Sequence, residues 1–69
     1  MYKDADIGDM VQTAIGKRYK IAQVNGIYIA ENLDTAGVEY VSPNNVLELL
    51  LNINKQEVVV SIIPKKEII

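Results

Sequence analysis

The chain has 69 residues, no cysteine and no histidine, and seven basic residues against nine acidic ones give a net charge of −2. This excludes disulfide staples, thiolate metal sites and the commonest general base and metal ligand. It also argues against non-specific duplex nucleic-acid binding, which needs several lysine or arginine contacts to phosphate. Chains of this size bury only about 60% of the surface they expose when unfolded. With 49% hydrophobic residues and no staple, association with a further subunit is the expected extra source of stability.

In chain order, the polar stretch from Tyr2 to Asp6 reads as a loose, charged lead-in. Asp4, Asp6 and Asp9 invite a calcium reading, but the loop spacing fails, since Gly8 stands where a further ligand is needed. The opening MYKDADIGDM lacks the basic-then-apolar order of a signal peptide. No apolar run reaches the ~20 residues of a membrane span, so a cytoplasmic location is the default expectation.

Ile7-Gly8-Asp9 leads into a first strand, Met10 to Thr13, and Gly16 suits a tight turn after it. Arg18 to Val24 is expected as the second strand, Tyr19 and Ile21 facing one side and Lys20 and Ala22 the other. Asn25-Gly26 between two β-prone runs is the strongest short-range hairpin signal, because a type I′ turn needs positive φ at both positions. Ile27 to Glu31 follows as the third strand. Asp34 to Gly37 is a loop, and Val38 to Val41 is the fourth strand, with Val38 and Tyr40 expected on one face.

Ser42-Pro43-Asn44-Asn45 then turns the chain, with serine as a candidate N-cap and proline suited to a first helical position. The apolar run after it has two readings. One makes Pro43 to Val46 a single 3₁₀ turn and Val46 to Ile53 a strand. The other makes a helix from Pro43 to about Asn52, because Val46, Leu49, Leu50 and Ile53 fit helical spacing. Leucine and glutamate favour the helix, the β-rich surroundings favour the strand, and the strand is the reading taken. Asn52 to Gln56 is then a turn.

Glu57 to Ile63 is the last expected strand. Val58, Val60 and Ile62 lie on one face and Val59, Ser61 and Ile63 on the other. Both faces are largely apolar, so the strand is either enclosed or paired with something else. Pro64 ends the ladder, Lys65, Lys66 and Glu67 are gatekeeping charges, and Ile68 and Ile69 are apolar ends without an assigned partner.

The run Val41-Ser42-Pro43-Asn44-Asn45-Val46-Leu47-Glu48-Leu49 resembles the end of an SH3 domain, where a strand enters a Pro-Ser-Asn-Tyr-Val turn and a final short strand. The resemblance implies an all-β, SH3-like small antiparallel barrel of about five or six strands in one domain, with a short 3₁₀ turn near Pro43. The family's ligand surface does not carry over. There is no Ala-Leu-Tyr-Asp-Tyr segment and no tryptophan, and Asn45 stands where the family places its tyrosine.

Enzyme chemistry is poorly provided for. Serine occurs only at Ser42 and Ser61, with neither histidine nor cysteine to activate or replace it. The four glycines are spread one per turn and form no phosphate-cradling loop. No cofactor is expected. The function expected is a non-enzymatic protein-interaction module of the phage or mobile-element type, an adaptor or small regulator. Its partner is another protein or a second copy, met through Val59, Ser61 and Ile63. The alternative is a single-strand or RNA-binding barrel that uses Lys17, Arg18 and Lys20, with Tyr28 facing outward across the same hairpin for stacking.

Overall fold

A computed structural model describes residues 5–67. The lead-in before Ala5, including Asp4, and the terminal Ile68 and Ile69 lie outside the described residues. The fold is an all-β sheet joined by one helix and a 3₁₀ turn: β1 (Met10–Thr13), β2 (Arg18–Val24), β3 (Ile27–Asn32), β4 (Val38–Ser42), α1 (Val46–Glu57), β5 (Val59–Ile63) and a 3₁₀ turn (Lys65–Glu67). The strands form one antiparallel sheet in the order β4-β3-β2-β1-β5. The sheet is not closed into a barrel. β4 and β5 are its two edges, and α1 connects them.

The hairpin between β2 and β3 follows from Asn25 and Gly26, which take φ of 52° and 82° and set Val24 opposite Ile27. Alternation then sorts the sheet. Val11, Tyr19, Ile21 and Ala30 face the helix and are fully buried, while Lys20 and Ala22 face the other way. β4 departs from the simple alternation. Ala30 pairs with Tyr40 and Glu31 with Val38, so Glu39 is an extra residue in a bulge. Tyr40 packs against the core while Val38 is exposed, so these two side chains do not share a face as the pattern implied.

The stretch read as a strand from Val46 to Ile53 is a helix, and it absorbs the Asn52 to Gln56 turn. Its cap is Asn45 rather than Ser42, with the Asn45 side chain accepting the Glu48 N–H at 2.7 Å. Asn44 donates from its side-chain amide to the Glu48 carboxylate, which reinforces the first turn. Ser42 instead accepts from the Asn44 N–H, and no 3₁₀ turn forms at Pro43; among the described residues the 3₁₀ turn is at Lys65. Leu49, Leu50, Ile53 and Glu57 form the buried stripe, with Val46 packed beside it. Topology explains why the helix wins. Crossing four inter-strand spacings of about 4.8 Å from β4 to β5 takes about 19 Å, and a 12-residue helix covers about 18 Å.

Two backbone positions constrain the chain ends. Gly8 has φ of +97°, and an added Cβ there would lie 2.9 Å from the Lys65 side chain, which packs across it. Asp9 is buried and ties the same region together, accepting from the Asp6 and Lys65 backbone N–H groups. Val58, the residue after α1, has φ of 50° with its side chain 56% exposed. Positive φ strains a β-branched residue. It is held by its own N–H to the Asn54 carbonyl, and by the Asn54 side chain accepting from the Val59 N–H.

Replacing Val58 with glycine should therefore stabilise the fold. Strain of this kind costs ~1–3 kcal/mol, and the extra freedom of an unfolded glycine costs ~0.5–1 kcal/mol, leaving a gain of about 1 kcal/mol. Thermal unfolding should show the Val58→Gly midpoint raised by about 4–8 °C for a domain of this size; an unchanged or lower midpoint would mean that Val58 carries no strain.

Candidate functional site

Two features stand out once the core is built: a cluster of hydroxyls and carboxylates beneath the end of α1, and the free edge of β5.

The cluster centres on Glu57. Thr13 Oγ1 donates to Glu57 Oε1 at 2.9 Å, Tyr40 donates to Oε2 at 2.6 Å, and the Tyr19 hydroxyl donates to the same oxygen in a short bond. The two tyrosine rings meet edge to face, with centroids 5.7 Å apart. Glu39, the extra residue of the β4 bulge, is exposed at the rim of the cluster; it lies 3.3 Å from the Tyr19 hydroxyl in a three-centre contact and accepts from Asn32 at 2.6 Å and Lys17 at 3.0 Å. Burial raises the Glu57 carboxyl, but the Tyr19, Tyr40 and Thr13 hydroxyls outweigh it and hold the group below the usual carboxylate range. Glu39 is also held low, first by the Asn32 amide and then by Lys17. Burial and the bond to Glu57 push the Tyr40 phenol up to about 12, and Tyr19 moves the same way.

Paired carboxylates of this kind can carry acid–base chemistry only if one of them is free to exchange a proton with a substrate. Here both are kept ionised, and the donors aimed at Glu57 are internal. No buried side-chain nitrogen or oxygen among the described residues lacks a partner, and no group of three or more acidic side chains gathers for a metal. The arrangement is a tie between helix and sheet.

Arg18 and Lys20 share the sheet face away from the helix, and Lys17 and Arg18 line one shallow pocket with Gln12, Thr13, Gly16 and Val60. Lys17 pairs with Glu39 and Arg18 with Asp34, each at 3.0 Å. Lys20 lies on the sheet face away from the helix, whereas Tyr28 sits opposite Gln23 on the helix side and packs against the core. The expected outward Tyr28 is thus an inward one. An open groove of about 450 Å³ runs beside Lys20, lined by Gly8, Met10, Leu33 and Lys65.

β5 is where the sequence placed the interaction surface, and its geometry differs from the simple alternation. Gln12 pairs with Ser61 and Thr13 with Val59, leaving Val60 as an extra residue. The bulge turns Val59 into the core at 8% exposure and brings Ile62 against the core, while Val60 is 60% exposed. Val59, Ser61 and Ile63 therefore do not form one accessible face. Ser61 and Ile63 are half-buried, and Val59 contributes only its backbone to the edge. The edge itself follows from the ladder. Thr13 N–H bonds Lys17, Ile21 N–H bonds Asp9, and Ala14 N–H bonds Val58, so Met10 and Gln12 turn their backbone groups toward β5. Their partners Ile63 and Ser61 bond back to β1, and Ile62 between them points its N–H and C=O away from the sheet.

The opposite edge differs in its contacts, although Val38 and Val41 are exposed along it. β4 carries Glu39, and its Val41 carbonyl accepts from the Asn52 side chain of α1 at 3.5 Å. β5, with the sequence VVSII, has no charged residue. Exposed Val58 and Val60 sit at its start. The pattern Val-Val-Val-Ser-Ile-Ile was visible in the sequence; the bulge that redistributes it was not. No protein-family model, curated protein or solved structure matches the chain. Among the described residues no helix is long and apolar enough to cross a membrane.

The cluster sets the pH dependence of folding. Glu57 and Glu39 titrate lower in the fold than unfolded, so their stabilisation is present above the ordinary carboxylate value of 4.5 and is lost as pH falls through their native values. Tyr40 titrates higher in the fold, so its contribution is present below 10.0 and is lost as pH rises toward about 12. Urea midpoints should accordingly fall at both ends of the pH range. Glu57→Gln should cost ~1–3 kcal/mol at neutral pH and flatten the acid limb; an acid limb as steep as that of the parent would place the titration elsewhere.

Proposed function

We propose that the chain is a non-enzymatic protein-interaction module that works by adding a strand to the outer edge of β5. The carrying observation is the asymmetry between the two sheet edges. β4 is bonded by α1 through Asn52, whereas β5 leaves the Ile62 N–H and C=O pointing outward beside exposed Val58 and Val60. An unpaired edge of β-branched residues without charge is a template for strand addition. Pro64, which has no N–H, and the exposed Lys65 and Lys66 limit the pairing to the span of β5.

The SH3-like reading of the architecture belongs to the same proposal. A four-strand meander whose fifth strand returns beside the first leaves β4 and β5 as the margins where a small barrel would close. α1 occupies that position, which the sequence resemblance assigned to a single turn. The proline-rich ligand surface of that family is not proposed, and Tyr28 and Lys20 lie on opposite faces of the sheet, which favours the strand-addition reading over a base-stacking groove.

Association is the measurable consequence, and a second copy is the simplest partner. Light scattering at high micromolar concentration should give a mass above 7.7 kDa for the parent chain, and the single-chain mass for Val60→Lys, a substitution at an exposed position that leaves the core intact. A parent chain at 7.7 kDa throughout the concentration range overturns self-association through β5.

A further inference from the structure

The six asparagines of the chain are held very differently. Five are tied into the fold by their side chains. Asn32 donates to Glu39 and accepts from the backbone of Asp34 and Thr35. Asn44 and Asn45 both hold Glu48, Asn52 donates to the Val41 carbonyl, and Asn54 accepts from the Val59 N–H. Asn25 is the exception. It is exposed at the tip of the β2–β3 hairpin, and its side chain bonds to no other described residue. It is also the one asparagine followed by glycine. Gly26 carries no Cβ to crowd its own nitrogen, and a Cβ placed there would meet nothing within 4 Å, so the space around it is open. At the other five positions the following residue carries a side chain.

We propose that Asn25-Gly26 is a site of self-modification, at which the Gly26 backbone nitrogen attacks the Asn25 side-chain carbonyl carbon and expels ammonia. Solvent base takes the Gly26 N–H proton, and the nitrogen forms a bond to Cγ. The bond from Cγ to the side-chain nitrogen breaks, and that nitrogen takes a proton and leaves as ammonia. The resulting cyclic imide is opened by water. Opening at Cγ restores the main chain and leaves an aspartyl residue. Opening at the backbone carbonyl routes the main chain through Cβ and Cγ and leaves an isoaspartyl residue. One water enters, one ammonia leaves, nothing is oxidised or reduced, and the chain gains a negative charge.

The fold gives the two products different fates. Asn25 and Gly26 have φ of 52° and 82°, the signs of a type I′ turn, and Asp-Gly suits that turn as Asn-Gly does. The aspartyl product therefore keeps Val24 opposite Ile27. The isoaspartyl product puts an extra backbone carbon into a two-residue turn. That disturbs, from the tip inward, the register that pairs Ile21 with Ala30 and Tyr19 with Asn32. The turn also governs the rate. A type I′ turn holds ψ of its first central residue near about +30°, which turns the next nitrogen away from the side chain. Ring closure therefore waits on local opening of the hairpin tip, a low-cost event at an exposed loop.

The test incubates the full-length chain at mildly alkaline pH, folded and in urea, and locates the products by peptide mass spectrometry, with the two isomers separated by chromatography. The folded chain should exchange ammonia for water at Asn25 and not at Asn32 or Asn45 in the same sample, and urea should speed the change. Asn25→Gly keeps a turn that Gly-Gly also suits and should lose the product. Asn25→Asp should keep the parent's far-ultraviolet spectrum and thermal midpoint, and the isolated isoaspartyl form should unfold at a lower temperature. A folded chain unmodified at Asn25, whether or not the urea sample converts, overturns the site. So does modification that begins at another asparagine. An isoaspartyl form as stable as Asn25→Asp overturns the register argument. None of these readouts depends on association through β5, so either idea can fail without the other.

Discussion

The fold hangs on one buried carboxylate. Glu57 is the last residue of α1, and three hydroxyls from three different strands, those of Thr13, Tyr19 and Tyr40, converge on it. A helix of 12 residues is marginal by itself in water, and the apolar stripe of α1 alone would fix neither its rotation nor the point at which it stops. A buried anion does both. Displacing it leaves an ionised group and the Tyr40 hydroxyl without partners and leaves Tyr19 and Thr13 only their longer contacts to Glu39 and the Lys17 carbonyl, and each lost bond costs on the order of 1–3 kcal/mol. The tie thereby sets the helix axis against the sheet and delivers the chain into β5 at a defined residue.

The strained turn at Val58 follows from that constraint. With Glu57 held inward, the next residue must reverse direction within one step so that Val59 can enter the core, and the left-handed φ at Val58 is the local consequence. The bulge at Val60 has a similar origin. Val59 and Ile62 both pack inward although they are three positions apart, and a strict two-residue alternation cannot do this without an extra residue. The shape of the β5 edge is thus determined at the far end of the helix, by the anchoring of one side chain.

The parts of this fold legible from sequence are those in which local chemistry decides. Asn25-Gly26 dictates its turn, and the alternation of Tyr19, Lys20, Ile21 and Ala22 dictates the faces of β2. The parts that were not legible depend on partners distant in sequence. Val46 to Ile53 is apolar on nearly all sides, so its period is silent. What selects the helix is the need to cross from one sheet edge to the other, a property of the strand order. The signals that could have tipped the balance were Asn45 three residues before Glu48, which is a capping pair, and Glu57 continuing the stripe of Leu49, Leu50 and Ile53. Tyr28 and Tyr40 point inward because the hydroxyl end of Tyr40 has a polar partner there and Tyr28 flanks the core. The sequence shows only that tyrosine suits either face.

The interaction surface illustrates a related limit. An excess of apolar residues near the carboxyl end was evident, but its meaning depends on which of them the fold can hide. The sheet and helix enclose Val59 and bring Ile62 and Ile63 to half-burial, so most of the surplus is absorbed internally. What remains exposed toward this end of the chain is Val58 and Val60 beside the edge, with Leu47 and Leu51 on the early turns of α1. Scattered singly, exposed valines and leucines are ordinary on a protein surface. Val58 and Val60 differ from these in bordering an unpaired strand edge, from which Ile62 points its N–H and C=O outward. On the function proposed above, that conjunction of apolar rim and open ladder assigns recognition to main-chain geometry, with Val58 and Val60 deciding which strands pack well.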